Sequence, residues 1–280
     1  MKNQELGITI KAVEQITENH NRVELIGSYG GDKTHAMSAW TSTDRTLTED
    51  KEKRIGSLLK YLASEGHHTP FEKSSIHFLV ETEIATHVQL LKHRIGVSIN
   101  AESARYKELK EDKFYVPLDW PEHLKQKLKN HCEESIRLYH ETLEELERGF
   151  YGLSLNGLVL EPTEEYKKEA RQKARKRAKE SARFFLPYAN KIRSDIMFNF
   201  RSFMHFLELR LEQHAQLEIT QLSSNMIIQL LQSTNDFDLS FKAFEGTIFE
   251  IGFVDKIRNR LEEIANESKE SKEESKEGKY

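Results

Sequence analysis

Between Gln89 and Tyr106 the chain reads QLLKHRIGVSINAESARY, which sets a basic triplet, Lys92, His93 and Arg94, shortly before a small polar segment closed by Ser103, Arg105 and Tyr106. Guanidinium forks, hydroxyls and backbone N–H groups gathered in one stretch can share the oxygens of a phosphate dianion, so the chemistry on offer is anion binding. A second chemistry-bearing run is NFRSFMHFLELRLEQHAQLEI, from Asn199 to Ile219. On one continuous helix Asn199 and Arg210 would lie about 20° apart at roughly 100° per residue, and Arg210, His214 and Glu218 would follow at i, i+4 and i+8. Such a stripe faces either a ligand or water, where it forms an ion-pair ladder. His214 and Glu218 also have metal-ligand spacing, but no further ligand at a recognised spacing joins them, and no metal site is expected. Cys132 is the only cysteine and sits in HCEES, a helical context, so neither an intrachain disulfide nor a thiol nucleophile is expected.

These residues need elements to position them. Residues 7–13 alternate as a first strand, and Val23–Ile26 is expected to pair with it before a turn at Gly27–Asp32. HAMSAWTST is too mixed to assign. Thr48 opens a helix in which Ile55, Leu58, Leu59 and Leu62 recur at helical spacing up to Gly66. Pro70 keeps HHTPFEK a loop, Ser74–Glu81 alternates as a strand, and residues 83–93 read as a helix that feeds the basic triplet into the anion loop. FYVP, 114–117, reads as a strand edge.

From Pro121 a period near 3.6 runs through Leu124, Leu128, Ile136, Tyr139, Leu143 and Leu146, broken by Gly152 and Gly157. Residues 166–183 form a basic helix with an alanine seam at 170, 174, 178 and 182. It reads as a solvated face; a nucleic-acid-binding face over 167–179 is the alternative, although no aromatic residues interleave with the charges. Ile192 to about Leu231 reads as the longest helical region. The segment ESKESKEESKEGKY is a low-complexity tail expected to be disordered or frayed.

With 280 residues, 31% charged and a net charge of -4, the chain can bury a sizeable core and has no global pull toward polyanions. No apolar run reaches the roughly 18 to 20 residues of a membrane span, and the N-terminus lacks the apolar core of a signal peptide, so a cytoplasmic protein is expected. One compact domain over 1–265 and a charged tail over 266–280 are expected.

KHRIGVSINAESARY resembles the signature of the flavin-dependent thymidylate synthases, in which Arg-His-Arg is followed after seven residues by a serine. Lys92 replaces the first arginine, and eight residues separate Arg94 from Ser103. HHTPFE resembles the family's histidine-threonine-proline-glutamate block, and FLELRLEQHAQLEI its arginine followed four residues on by His-Ala-Gln. ARFFLP resembles its arginine before an apolar-Leu-Pro run. HAMSAW, with Ser38, is a weaker match. The matches run in order from about residue 35 to 220.

The resemblance implies an α+β fold, a small mainly antiparallel sheet packed with long helices, and a homotetramer whose active sites are shared between subunits. It implies conversion of dUMP to dTMP with FAD as cofactor and NADPH and methylenetetrahydrofolate as co-substrates. Arg210 would polarise the pyrimidine. Gln89, Lys92, Glu102, Ser103, the Ala104 amide, Arg105 and Arg183 would hold the nucleotide, with Ala101 standing where many members have glutamate and Glu102 one place later. Ser38, His67, Thr69, Lys92, His93, Arg94, Asn199, Arg201 and His205 would line FAD. Ser103 has no histidine-acid pair at recognisable spacing and is taken as a phosphate donor rather than a nucleophile.

Overall fold

The computed structural model describes residues 8, 21–103, 113–156, 158, 161–212 and 214–277. Four antiparallel strands form one sheet in the order β1-β2-β4-β3: β1 Arg22–Tyr29, β2 Ser75–Glu83, β3 Val97–Ala101 and β4 Lys191–Phe198. The helices are α1 Asp32–Trp40, α2 Glu49–Lys53, α3 Ile55–Ser64, α4 Ile84–Leu90, α5 Glu122–Leu155, α6 Glu164–Ala182, α7 Phe200–Arg210, α8 Leu217–Ser233, α9 Asp238–Lys242 and α10 Phe253–Glu277. The expected α+β class holds. No described helix is long and apolar enough to cross a membrane.

Two compact units divide the chain: Met1–Val80 with Gln89–Asn100 and Asp195–Tyr280, and Glu81–Val88 with Ala101–Ser194. The first is built on phenylalanine. Ile76, Phe78 and Val80 point inward from β2 by its period of two, and α7 buries Phe200, Phe203, Met204, Phe206 and Leu207 by its period of 3.6. Phe200 stacks on Phe237 at 5.6 Å between centroids and meets Phe241 edge-on at 5.0 Å. Such pairs contribute about 0.5–1.5 kcal/mol each beyond burial. The Thr48 hydroxyl caps α2 by accepting from the Lys51 N–H, and α3 buries Ile55, Leu59 and Leu62, as their spacing predicts.

The second unit is dominated by the α5–α6 hairpin. The alanine seam of α6, Ala170, Ala174, Ala178 and Ala182, is buried as expected, and Tyr139 and Leu143 of α5 join the last two in a small core. Arg175 of α6 pairs with Glu147 of α5 at 2.5 Å, and Arg171 lies over the Tyr151 ring at 5.0 Å. Part of the charge that made this helix a nucleic-acid candidate is thus engaged within the hairpin.

Several expectations are corrected. The helix expected from Ile192 to Leu231 is a strand and two helices: Ser194, Ile196 and Phe198 are buried at a period of two in β4, and Leu211–Gln216 separates α7 from α8. Gly152 does not break α5, which continues to Leu155. The charged tail is helical to Glu277, in keeping with the helix propensity of its Glu and Lys residues. HAMSAW belongs to α1, and FYVP makes only an isolated bridge, Phe114 to Asn190. Of the expected first strand only Ile8 is described, bridged to Phe249; the rest lies outside the described residues, as do Gly157 and the tail beyond Glu277.

Candidate active site

In the first unit the basic triplet leaves α4 through a tight turn, in which the His93 N–H donates to the Leu90 carbonyl at 3.0 Å. The chain then reaches Gly96, whose φ of +64° lies in the left-handed region. The Gly96 carbonyl accepts from the Asn199 N–H at 2.9 Å. A Cβ at Gly96 would lie 2.3 Å from both Asn199 Nδ2 and Ser202 Oγ, so any other residue strains the backbone and displaces those side chains. Asn199 itself caps α7, its Oδ1 accepting from the Ser202 N–H at 2.8 Å. The anion loop and the start of α7 are thereby locked together.

Arg210 ends α7. Its Nε donates to His93 Nε2 at 3.0 Å and one Nη reaches Gln89 Oε1 at 3.5 Å. An imidazole nitrogen that accepts from a guanidinium cannot carry a proton there, so His93 is the neutral tautomer with hydrogen on Nδ1. Burial, with the Arg210 and His205 charges, lowers its pKa to about 4. Its ring is braced edge-on against Phe206 at 5.0 Å. Arg210 is partly desolvated, which lowers its pKa, and among the described residues no carboxylate neutralises it.

The chain of contacts continues through a residue the motifs left unassigned. Gln89 Nε2 donates to Gln216 Oε1 at 2.6 Å, and Gln216 Nε2 donates to Glu218 at 2.7 Å. The Thr220 hydroxyl donates to the Arg210 carbonyl at 3.0 Å, satisfying one of the acceptors left over where α7 stops. Gln216 closes the His-Ala-Gln motif, a signal that could have found it; Thr220 carries none. Arg210, His214 and Glu218 do not share one helix, so the alternative of an ion-pair ladder is not met: His214 lies in the turn and Glu218 is in the first turn of α8. No described group of three or more His, Cys, Asp or Glu side chains is arranged for a metal.

The residues assigned to a flavin all belong to the first unit. His205 is exposed, its ring 6.5 Å from that of His93, with Nδ1 3.3 Å from Glu208. Burial and the Arg201 charge hold His68 below its ordinary pKa, which places the start of α7 beside HHTPFE. His67 and Thr69 are exposed there, Ser38 is half-buried on α1, and Lys92 and Arg94 are exposed on the loop.

In the second unit Glu102 serves the backbone. Its N–H donates to the Arg193 carbonyl at 2.8 Å and its carboxylate accepts from the Arg193 N–H at 3.2 Å. Ser103 is half-buried, and Arg183 is exposed where α6 gives way to a short helical turn, Arg183–Phe185. Ala104, Arg105 and Tyr106 lie outside the described residues. Burial pushes the Cys132 thiol up, away from thiolate chemistry.

A family model described as thymidylate synthase complementing protein matches residues 24–233. A flavin-dependent thymidylate synthase of Thermosipho africanus is 33% identical over 205 residues, 73% of this chain and 83% of that protein. One from Thermosipho melanesiensis is 34% identical over 200 residues, 71% and 80% of the two chains. Among solved structures, a UMP/dUMP methylase, PolB from Streptomyces cacaoi bound with 5-Br UMP, matches 81% of this chain and 94% of that one with a TM-score of 0.56. At 23% identity this is a likeness of fold.

Proposed function

The chain belongs to the flavin-dependent thymidylate synthases, the thymidylate synthase complementing protein family, and from that premise we propose that it converts dUMP to dTMP. In this reading FAD is the bound cofactor, methylenetetrahydrofolate the one-carbon donor and NADPH the reductant. The observation that carries it is the Arg210 guanidinium, partly desolvated and held by two neutral partners, His93 and Gln89.

The chemical demand is to make uracil C5 a carbon nucleophile without a thiol. Electron density moved toward C5 leaves negative charge on the ring oxygens, and a cation already oriented there stabilises it without reorganisation. Preorganised donors of this kind are worth roughly 10²–10³ in rate. A carboxylate partner would cancel the field; a neutral imidazole keeps the guanidinium in place and leaves its charge available. Gln89, itself fixed by Gln216, adds an amide along the same nucleotide.

The donor set fits a flavin dinucleotide. Lys92, Arg94 and Arg201 would supply charge for phosphates, His67, Thr69 and Asn199 would supply polar contacts, and Gly96 lets the loop approach Asn199 and Ser202 at the start of α7. When bound, FAD supplies the hydride transfer. Ser103, the Ala104 amide, Arg105 and Arg183 are assigned to the nucleotide phosphate, with Glu102 flanking them. The protein is proposed to be a cytoplasmic homotetramer with shared sites; Ile95, 90% exposed beside the basic triplet, supports an assembly that covers it.

The test is release of tritium from 5-labelled dUMP by the purified yellow protein. Release only when methylenetetrahydrofolate and NADPH are both present is the expected result. Colourless protein that cannot be reconstituted with FAD and releases no tritium would refute the proposal.

A further inference from the structure

His35 lies in the middle of α1, fully buried, with both ring nitrogens engaged by side chains distant in sequence. Nδ1 is 2.8 Å from Ser240 Oγ, and Nε2 is 2.8 Å from Ser74 Oγ. The Ser240 hydroxyl donates to Asp32 Oδ1 at 2.5 Å, and the same carboxylate accepts the N–H groups of Ser240 at 2.6 Å and Leu239 at 2.9 Å. Because the Ser240 proton is committed to Asp32, Ser240 accepts from His35 Nδ1–H, and Ser74 donates to Nε2. The relay therefore has one direction, Ser74 to His35 to Ser240 to Asp32.

The ring is also clasped by phenylalanines: Phe71 edge-on at 5.4 Å, Phe200 at 5.3 Å and Phe237 at 6.1 Å. Three of these partners, Phe71, Ser74 and Phe200, come from or adjoin the segments assigned above to the flavin, while Phe237 and Ser240 do not. His35 stands one helical turn before Ser38. Phe71 belongs to the turn Thr69–Glu72, and Ser74 follows it. Phe200 sits between Asn199 and Arg201. The ring is fully buried and hydroxyls occupy both of its nitrogens, so it has no atom left to offer a substrate.

We infer that His35 is a positioning residue for the flavin: a single imidazole, anchored to Ser74 and Ser240, holds in common register the three segments that present Ser38, Thr69 and Asn199. The inference rests on the flavin assignment of the proposed function. A displacement of about 1 Å at a binding element is enough to change rates by roughly 10²-fold, so the register of three separate segments is a quantity worth a buried polar relay.

The experiment compares full-length wild type, His35→Leu and His35→Gln. Leucine fills the space without hydrogen bonds, whereas a glutamine amide can donate to Ser240 and accept from Ser74. FAD affinity is read by quenching of flavin fluorescence, the bound-flavin absorbance spectrum is recorded, and dUMP affinity is measured at saturating FAD. Expected for His35→Leu are a Kd for FAD raised about 10-fold, an altered flavin spectrum and dUMP affinity within about 2-fold of wild type; His35→Gln recovers FAD affinity to within about 3-fold. A His35→Leu protein that binds FAD like wild type, one that weakens FAD and dUMP equally, or a glutamine variant that restores nothing would overturn the inference. If His35→Leu does not fold, Ser74→Ala decides: selective weakening of FAD supports the inference and unchanged affinity overturns it. Wild-type protein that takes up no FAD at all would instead refute the flavin assignment beneath it.

Discussion

His35 and His93 are both held neutral, each with a pKa lowered to about 4, yet their surroundings differ in every other respect. His35 is sealed among phenylalanines, burial is the whole cause of its shift, and hydroxyls occupy both of its nitrogens. His93 is half-buried, the Arg210 and His205 charges add to the effect of burial, and only one nitrogen has a partner among the described residues. The first imidazole has nothing left to offer a ligand. Among the described residues the second keeps a free N–H and, through Arg210, an uncancelled positive charge. A depressed histidine pKa therefore marks burial; what marks the site is the cation beside it with no carboxylate to neutralise it.

The sharpest way to break this contrast is Arg210→Ala. It should lower kcat/KM for tritium release by about 10²–10³ while leaving the Kd for FAD within roughly 3-fold, the reverse of the pattern set out for His35→Leu. Arg210→Lys should recover little, because an ammonium lacks the planar fork that reaches His93 and Gln89 together. Equal losses of FAD binding and turnover in Arg210→Ala would erase the distinction.

Gly96→Ala comes next, since it strikes the joint between the anion loop and α7. The left-handed backbone alone costs about 1–2 kcal/mol with a Cβ, and the contacts at 2.3 Å force Asn199 or Ser202 to move. Urea unfolding should show that loss of stability, and flavin titration a Kd raised about 10-fold.

Acid acts on both histidines with one sign and on Asp32, in the His35 relay, with the other. Each histidine has a folded pKa below its unfolded value, so the folded chain binds fewer protons between about pH 6.5 and 4. The stability they contribute is complete above about pH 6.5 and is lost as pH falls toward 4. Asp32 acts oppositely: burial raises its pKa to about 6, so its contribution is present below about pH 3.8 and lost as pH rises through 6. In urea melts between pH 8 and pH 5, wild type should lose on the order of 2 kcal/mol more than His35→Leu, which lacks the buried titrating ring. Parallel pH profiles would contradict the burial account of His35.

Smaller effects complete the series. Gln216→Ala releases Gln89 and should raise the KM for dUMP about 3- to 10-fold with kcat little changed. Cys132→Ser should leave tritium release within about 2-fold of wild type, because the thiol is buried with its pKa raised and lies outside the assigned chemistry.

The legible parts of this chain were those with a period or a motif. The inward residues of β2 and α3 and the alanine seam of α6 could be read directly, and KHR, HHTPFE and HAQ pointed to segments that the fold gathers in the first unit, around His93 and Arg210 and around His68 and Arg201. What stayed hidden depended on contacts across the sequence. Strand β4 merged with the helix after it, since its alternating Ser194, Ile196 and Phe198 run straight into the helical spacing of Phe200, Phe203 and Phe206. No glycine or proline announces the stop at Arg210; the hydroxyl of a threonine ten residues on donates to the freed carbonyl. Helix α1 looked featureless because Asp32 and His35 are among the few residues it buries, and their partner Ser240 lies more than 200 residues away.

The central claim is that Arg210, steadied by a neutral His93, pulls electron density across the base of the bound nucleotide. Isotope-edited infrared difference spectra of dUMP labelled with 13C at its C4 carbonyl, taken on flavin-loaded wild type and Arg210→Ala, test it without waiting for turnover. A carbonyl stretch displaced to lower frequency on wild type and restored to its solution value on Arg210→Ala is the predicted result. The same frequency on both proteins would contradict the account.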